Sequence, residues 1–137
     1  VVSRGRLHHA DRLPGFVAVL WGQNVGLITY HIVDRQGEVV TINSLVERQG
    51  IGTALIEAVR REAVAAECVR LWLITTNDNL PALRFYQKRG FTRVQVYPNA
   101  VERSRQLKPD IPLAGQHGIP IRDEIELELT FRIVQEL

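Results

Sequence analysis

The 137-residue sequence contains no methionine, so its first residue is not a translation start and the N-terminus is read as truncated. It contains one cysteine, Cys68, which excludes an internal disulfide and makes a reducing cytoplasm the default expectation. No motif near Cys68 would make it a nucleophile, so it reads as a small buried residue at the start of a strand. Lysine is scarce. Lys88 and Lys108 are the only two, and arginine carries the rest of the positive charge. A net charge of +2 is too small to argue for nucleic acid. No apolar run approaches the roughly 20 residues that cross a bilayer, so no membrane partner is expected. The opening VVSRGRLHHADR has no apolar stretch of signal-peptide length. The histidines do not suggest a metal. His8 and His9 are adjacent and point apart in an extended chain, His31 and His117 are isolated, and nothing stands at zinc spacing.

What is present is the balance of an ordinary globular protein, 45% hydrophobic and 23% charged, with a length that suits one domain over 1–137. After a polar start ending in Leu13-Pro14-Gly15, three apolar stretches read as strands: Phe16 to Trp21, Val25 to Val33 and Glu38 to Leu45. Turns at Gly22-Gln23-Asn24 and Asp34 to Gly37 separate them. The period then changes. Ile51, Leu55, Ala58, Val59, Ala63 and Ala66 recur at helical spacing from Gly50 to Ala66. Val69 to Thr75 reads as a strand buried on both faces. Asn79 to Arg89 reads as a helix stopped by Gly90, and Phe91 to Tyr97 as a strand. Residues 98–122 are less regular, with a short helix over Val101 to Leu107 and a three-proline loop from Pro109 to Pro120. Finally Ile125, Leu127, Leu129, Phe131 and Ile133 alternate with Glu126, Glu128, Thr130 and Arg132, which predicts one buried and one wet face. The order β-β-β-α-β-α-β-loop-β implies an α/β (α+β) fold with a mixed, mostly antiparallel central sheet and helices on both faces.

The stretch Ser44 to Leu55, SLVERQGIGTAL, runs from a strand through a glycine turn directly into a helix. Glycines 50 and 52 have no Cβ, so a phosphate can approach the backbone. The first amide N–H groups of a helix lack partners within it and, with the helix dipole, make a site for a diphosphate. Thr53 could add a hydroxyl, and Arg48 and Gln49 side-chain donors. A plain glycine turn would look the same. Two other phosphate motifs fail: a P-loop needs Gly-Lys-Ser/Thr, whereas Gly52 is followed by Thr53-Ala54, and a dinucleotide fingerprint needs a small residue where Leu55 stands. A second cluster follows, Asn79-x-x-Ala82-x-x-Phe85-Tyr86-x-x-x-Gly90-Phe91, whose Ala82, Phe85 and Tyr86 share a helix face. Asn79, near the helix start, could cap the helix or bond a ligand.

Together the two clusters resemble the GCN5-related N-acetyltransferase (GNAT) superfamily. Its pyrophosphate turn is similar to Gln49-Gly50-Ile51-Gly52-Thr53 and its later helix to Asn79 through Phe91. The resemblance covers most of the chain, with the family's first strand and helix missing ahead of it. One departure is Glu47, where the family carries Gln or Arg; it is expected to turn away from a diphosphate. The resemblance implies an acetyltransferase that uses acetyl-CoA as acyl donor and an amine as acceptor. It implies that Leu45 and Val46 offer backbone groups to the pantetheine arm like an added strand. It implies that Arg48, Gln49, Gly50, Ile51, Gly52, Thr53 and Asn79 bind the cofactor, that Tyr86 serves the departing CoA thiolate, and that Glu38 acts as base. For Glu38 a solvated residue at a hairpin end is the competing reading, and for Tyr86 a core aromatic. Two further readings stay open: a CoA-binding regulatory or scaffold module without catalysis, and an interaction domain without a cofactor. The 98–122 segment is expected to help choose the acceptor. The last strand could pair with a neighbour's edge to give a homodimer.

Overall fold

A computed structural model describes residues 2–4, 6–7, 9, 12–46 and 50–131. Its elements in chain order are β1 (Val2–Ser3), β2 (Arg6–Leu7), β3 (Gly15–Leu20), β4 (Gln23–Val33), β5 (Gln36–Ser44), α1 (Ile51–Ala65), β6 (Arg70–Thr76), α2 (Leu80–Lys88), β7 (Thr92–Tyr97), α3 (Ala100–Leu107) and β8 (Glu124–Thr130). Strands β3 to β8 form one six-stranded sheet in the order β3-β4-β5-β6-β8-β7, and β1 pairs with β2. The expected α/β architecture with a mostly antiparallel sheet is therefore present. Two compact units make up the chain.

The first unit is His9–Trp72 with Thr130–Leu137. Strands β3, β4 and β5 form an antiparallel meander, with Val17 opposite Leu27 and Leu27 opposite Asn43. Bulges at Ala18/Val19 and Thr29/Tyr30 shift the register. The tight turn into β5 is made by Asp34 and Arg35, both with positive φ. Helix α1 buries Leu55, Ile56, Val59 and Ala63, one stripe of its surface. It can sit close to the meander because Gly26 has no side chain. A Cβ there would lie 2.7 Å from Ile51 Cγ2 and 3.1 Å from Leu55 Cδ1. Cys68 is buried beyond the helix, and burial pushes its thiol pKa up, so it stays protonated and inert.

The second unit is Val1–His8 with Leu73–Leu129. Helix α2 begins on Asn79, whose Oδ1 accepts from the amide of Ala82, and Gly90 follows its end with φ 94. Strand β8 pairs antiparallel with β7, Val96 opposite Ile125 and Tyr97 opposite Glu124. Three expectations are corrected. The last strand is interior, lying between β6 and β7, so the sheet's edges are β3 and β7. The supposed wet face of that strand is covered at its start, at Glu126 and at the preceding Glu124, while Glu128 is half-covered, Thr130 is exposed as expected, and Arg132 and Ile133 lie outside the described residues. Glu124 and Glu126 are only 3% and 8% exposed, because the Arg4 amide donates to Glu124 Oε2 at 3.1 Å and the Tyr97 hydroxyl to Glu126 Oε1 at 2.8 Å. And β6 is not buried on both faces: Leu71, Leu73 and Thr75 are buried while the alternate residues are half-covered, with the Arg70 guanidinium 5.1 Å from the Trp72 ring.

The loop from Pro109 to Pro120 is held by two side chains that the sequence did not single out. Asn77 donates through Nδ2 to the Pro120 carbonyl and accepts through Oδ1 from the amides of Arg122 and Asp123. Arg105 donates to the carbonyls of Ile111, Pro112 and Ile121, and pairs with Glu102. Buried carbonyls need such donors where no strand supplies them.

Candidate active site

The glycine turn opens α1 as its spacing predicts. Gly50 is the residue before the helix, with φ 70 and ψ 14, and a Cβ there would meet nothing within 4 Å. A left-handed φ at the head of a helix suits glycine and costs other residues about 1–2 kcal/mol. No side chain caps the helix, and its first turn contains no acidic residue. The amide hydrogens of Ile51 and Gly52 thus sit at a positive helix end whose first turn carries no carboxylate, beside an exposed Gly50 and Thr53. That is the electrostatic and steric form of an anion site. Glu47, Arg48 and Gln49 lie outside the described residues, as does His8.

Just before the turn, Leu45 donates its amide to Val25 O at 2.7 Å. That group is engaged within the meander, so only the rest of Leu45 is available to a ligand. The residue is 78% exposed and, with Val17, Gly26 and Leu27, lines a largely apolar hollow of about 280 Å³. The carbonyl of Val46 accepts the Ser44 hydroxyl at 2.8 Å. Glu38 is not a solvated hairpin end: it is 6% exposed, on β5 opposite His31.

In the other unit, Asn79 uses its side-chain oxygen as the α2 cap, 3.3 Å from Ala82 N, which leaves its Nδ2 group for other partners. Tyr86 is buried between Phe85, edge-on at 5.3 Å, and Phe91, tilted at 5.6 Å. Burial pushes its phenol up to about 12, so it is a neutral hydrogen-bond donor at any physiological pH. Asp123 is held below the ordinary carboxylate range by the Arg122 guanidinium and then by the Asn99 amide. Among the described residues no group of three His, Cys, Asp or Glu side chains is placed to hold a metal ion, and no helix is long and apolar enough to cross a membrane.

Comparisons with known proteins agree with this geometry. Residues 3–91, which include both the glycine turn and α2, match the acetyltransferase (GNAT) family. The chain is 49% identical over 125 residues to uncharacterized protein YdhI of Bacillus subtilis (strain 168), covering 90% of this chain and 78% of that protein. It is 43% identical over 129 residues to uncharacterized protein YxbD of the same organism, covering 93% and 80%. Among solved structures it resembles a Bacillus subtilis acetyltransferase in complex with CoA, with a TM-score of 0.76 at 20% identity over 89% of this chain and 79% of that one. It also resembles the ribosomal-protein-S18-alanine N-acetyltransferase of Escherichia coli, TM-score 0.71 at 21% identity over 93% and 75%. The structural likenesses concern the fold, whereas the family match reaches the residues of both clusters. On that match the chain belongs to the GNAT family of acetyltransferases.

Proposed function

We infer that the protein transfers an acetyl group from acetyl-CoA directly to the nitrogen of an amine. The observation that carries this reading is the N-terminus of α1 behind a left-handed Gly50, with no acidic residue in its first turn, inside a segment that matches the family. A diphosphate accepts hydrogen bonds from the amides at Ile51, Gly52 and Thr53, with Arg48 and Gln49 adding side-chain donors. Asn79 contributes its Nδ2 group. The pantetheine arm runs along the end of β5 at Leu45 and Val46. The Leu45 amide is already bonded to Val25, so Val46 and the exposed Leu45 side chain carry that contact.

The chemistry balances without any further reagent. The amine loses a proton to a base, and its nitrogen lone pair attacks the thioester carbonyl carbon. The C–S bond then breaks as the new C–N amide bond is retained, the electron pair leaves on sulfur, and the second proton shed by the nitrogen ends on the CoA thiol. Glu38, buried on β5, is the proposed base, directly or through water. The Tyr86 hydroxyl is the proposed donor to the departing thiolate; its raised pKa keeps it neutral and so able to donate a hydrogen bond to the developing sulfur anion, while opposing outright loss of its proton. Calorimetric titration with acetyl-CoA tests the first half of the reading, and thiol release with a broad amine panel tests the second. Saturable binding with acetylated product supports it. Absence of heat from folded protein sinks it, and binding without turnover on any amine points to a CoA-binding module instead.

A further inference from the structure

In the register of the meander, Glu38 of β5 stands directly opposite His31 of β4. Directly opposed residues leave an antiparallel pair on the same side, with Cβ atoms about 5 Å apart. We propose that His31 is a positioning residue for Glu38, donating an imidazole N–H to one carboxylate oxygen while the other takes the proton of the amine; this rests on the acetyltransfer reading given above.

The face on which the pair lies follows from two glycines. A Cβ on Gly37 would lie 3.6 Å from Ala63 Cβ, and one on Gly26 would lie 3.1 Å from Leu55 Cδ1, so both glycines face α1. Alternation then turns Glu38 and His31 away from the helix, and turns Leu27 and its partner Asn43 away likewise. In a regular strand Glu38 and Asn43 would point to opposite faces, because an odd number of residues separates their positions. The bulge beside Thr29 and Tyr30 removes that conflict. Thr29 pairs with Thr41 and Tyr30 with Val39, so Val40 has no opposite number. One extra residue thus brings Glu38 onto the face that carries Leu27, Asn43 and the hollow beside Leu45, where the pantetheine arm is placed. Without it, the carboxylate would turn toward α1.

Three rows cross that face in order: His31 with Glu38, Thr29 with Thr41, and Leu27 with Asn43. The middle row is joined hydroxyl to hydroxyl at 2.6 Å, a fixed floor between the carboxylate and the hollow. On the other flank, Arg70 of β6 reaches the same face, its Nε donating to Gln36 Oε1 at 3.0 Å. Glu38 is 6% exposed. A carboxylate taken so far out of water needs hydrogen bonds to hold it. One that also serves as a base must be held without losing the oxygen that takes the proton. An imidazole beside it does both, since it donates from one ring nitrogen and leaves the second carboxylate oxygen open. The His31 Nε2 atom is sealed from solvent, so packing restrains the ring.

The test reads thiol release from acetyl-CoA with spermidine, tyramine, glycylglycine and kanamycin as acceptor probes, the fastest being kept for every variant. Glu38→Gln should lower kcat about 100-fold or more. His31→Ala should lower it roughly tenfold, as for a base left in place but no longer oriented, with KM for acetyl-CoA unchanged. His31→Gln keeps a side-chain N–H and should recover most of that loss. The double variant should be no slower than Glu38→Gln alone, since the histidine acts only through the carboxylate. A second measurement needs no acceptor. In whole chain carrying nitrogen-labelled histidine, Glu38→Gln should shift the NMR signals of the His31 ring nitrogens and leave those of His117 in place. Parental kcat in His31→Ala, an alanine loss that glutamine does not relieve, an additive double variant, or His31 nitrogens indifferent to Glu38→Gln each overturns the pairing. Undiminished kcat in Glu38→Gln overturns Glu38 as the base, and calorimetry with acetyl-CoA reports separately on the cofactor, so these failures are distinguishable.

Discussion

Substitution of Gly26 by alanine separates close packing from ligand contact. The added methyl would stand 2.7 Å from Ile51 Cγ2, 3.1 Å from the Asn43 carbonyl oxygen and 3.1 Å from Leu55 Cδ1. Ile51 is the first residue of α1 and Leu55 is in its buried stripe, so the helix must move off the meander or rotate two side chains. Overpacking of this kind costs about 1–3 kcal/mol. The lower chain entropy of unfolded alanine returns about 0.4–1 kcal/mol, leaving a net loss of about 1–2 kcal/mol. With unfolding entropy near 2.1 cal/mol/K per residue, the 137-residue chain loses roughly 3–7 °C in Tm. Gly50→Ala is the paired control. Its methyl meets nothing within 4 Å, and only the left-handed φ of 70 opposes it, at about 1 kcal/mol. It should lower Tm by about 3 °C but weaken acetyl-CoA roughly tenfold or more by standing where the diphosphate approaches, a loss of ~1.4 kcal/mol. Differential scanning calorimetry with and without acetyl-CoA reads both quantities. A Gly26→Ala protein with unchanged or higher Tm would refute the close-packing argument.

Four other outcomes follow from the structure. Tyr86→Phe should cut turnover far more than acetyl-CoA affinity, and because the phenol stays protonated to about 12, the parent should show no tyrosine-dependent fall in rate below about pH 10; equal kcat for the two would remove the role. Asn77→Ala deletes three hydrogen bonds that hold residues 120–123 and should cost about 1–3 kcal/mol by urea denaturation, together with a raised acceptor KM. Asp123 has a depressed folded pKa, so its contribution is present above its unfolded value near 3.9 and fades as pH falls through the folded one; Asp123→Asn should flatten the loss of stability below about pH 4, and parallel acid curves would contradict it. Leu127→Ala, at a fully buried position on β8, should destabilise by about 2–5 kcal/mol in the same urea assay.

Periodicity located β3 to β7 and all three helices to within two residues, because each is either amphipathic or strongly apolar and bounded by turn residues, whereas the last strand, expected to reach Ile133, ends at Thr130. The glycine turn was legible for the same reason: φ 70 at Gly50 is a property glycine announces in sequence. The acidic side of β8 was not legible. Alternation of Glu124, Glu126 and Glu128 with Ile125, Leu127 and Leu129 is what a solvated face looks like, and the residues that cover it, Arg4 and Tyr97, are remote in the chain. The same holds for Asn77, whose three bonds all reach residues at least 43 positions away. Long-range partners leave no local period, so the burial of Glu124 was invisible until the chain was folded. The pairing of the last strand was hidden likewise, since nothing in its own pattern says that it enters beside β6 rather than beyond β7.

That insertion has a consequence for how the protein is made. β7 leaves the ribosome some 33 residues before the end of β8 does, yet the described sheet gives it no neighbour other than β8. Until Glu124–Thr130 is synthesised, the nascent chain carries Val94 and Val96 on a strand with nothing to pair with, so completion of the sheet waits on the C-terminal stretch and translation halted upstream of it leaves a sticky ribbon rather than a slightly shortened enzyme.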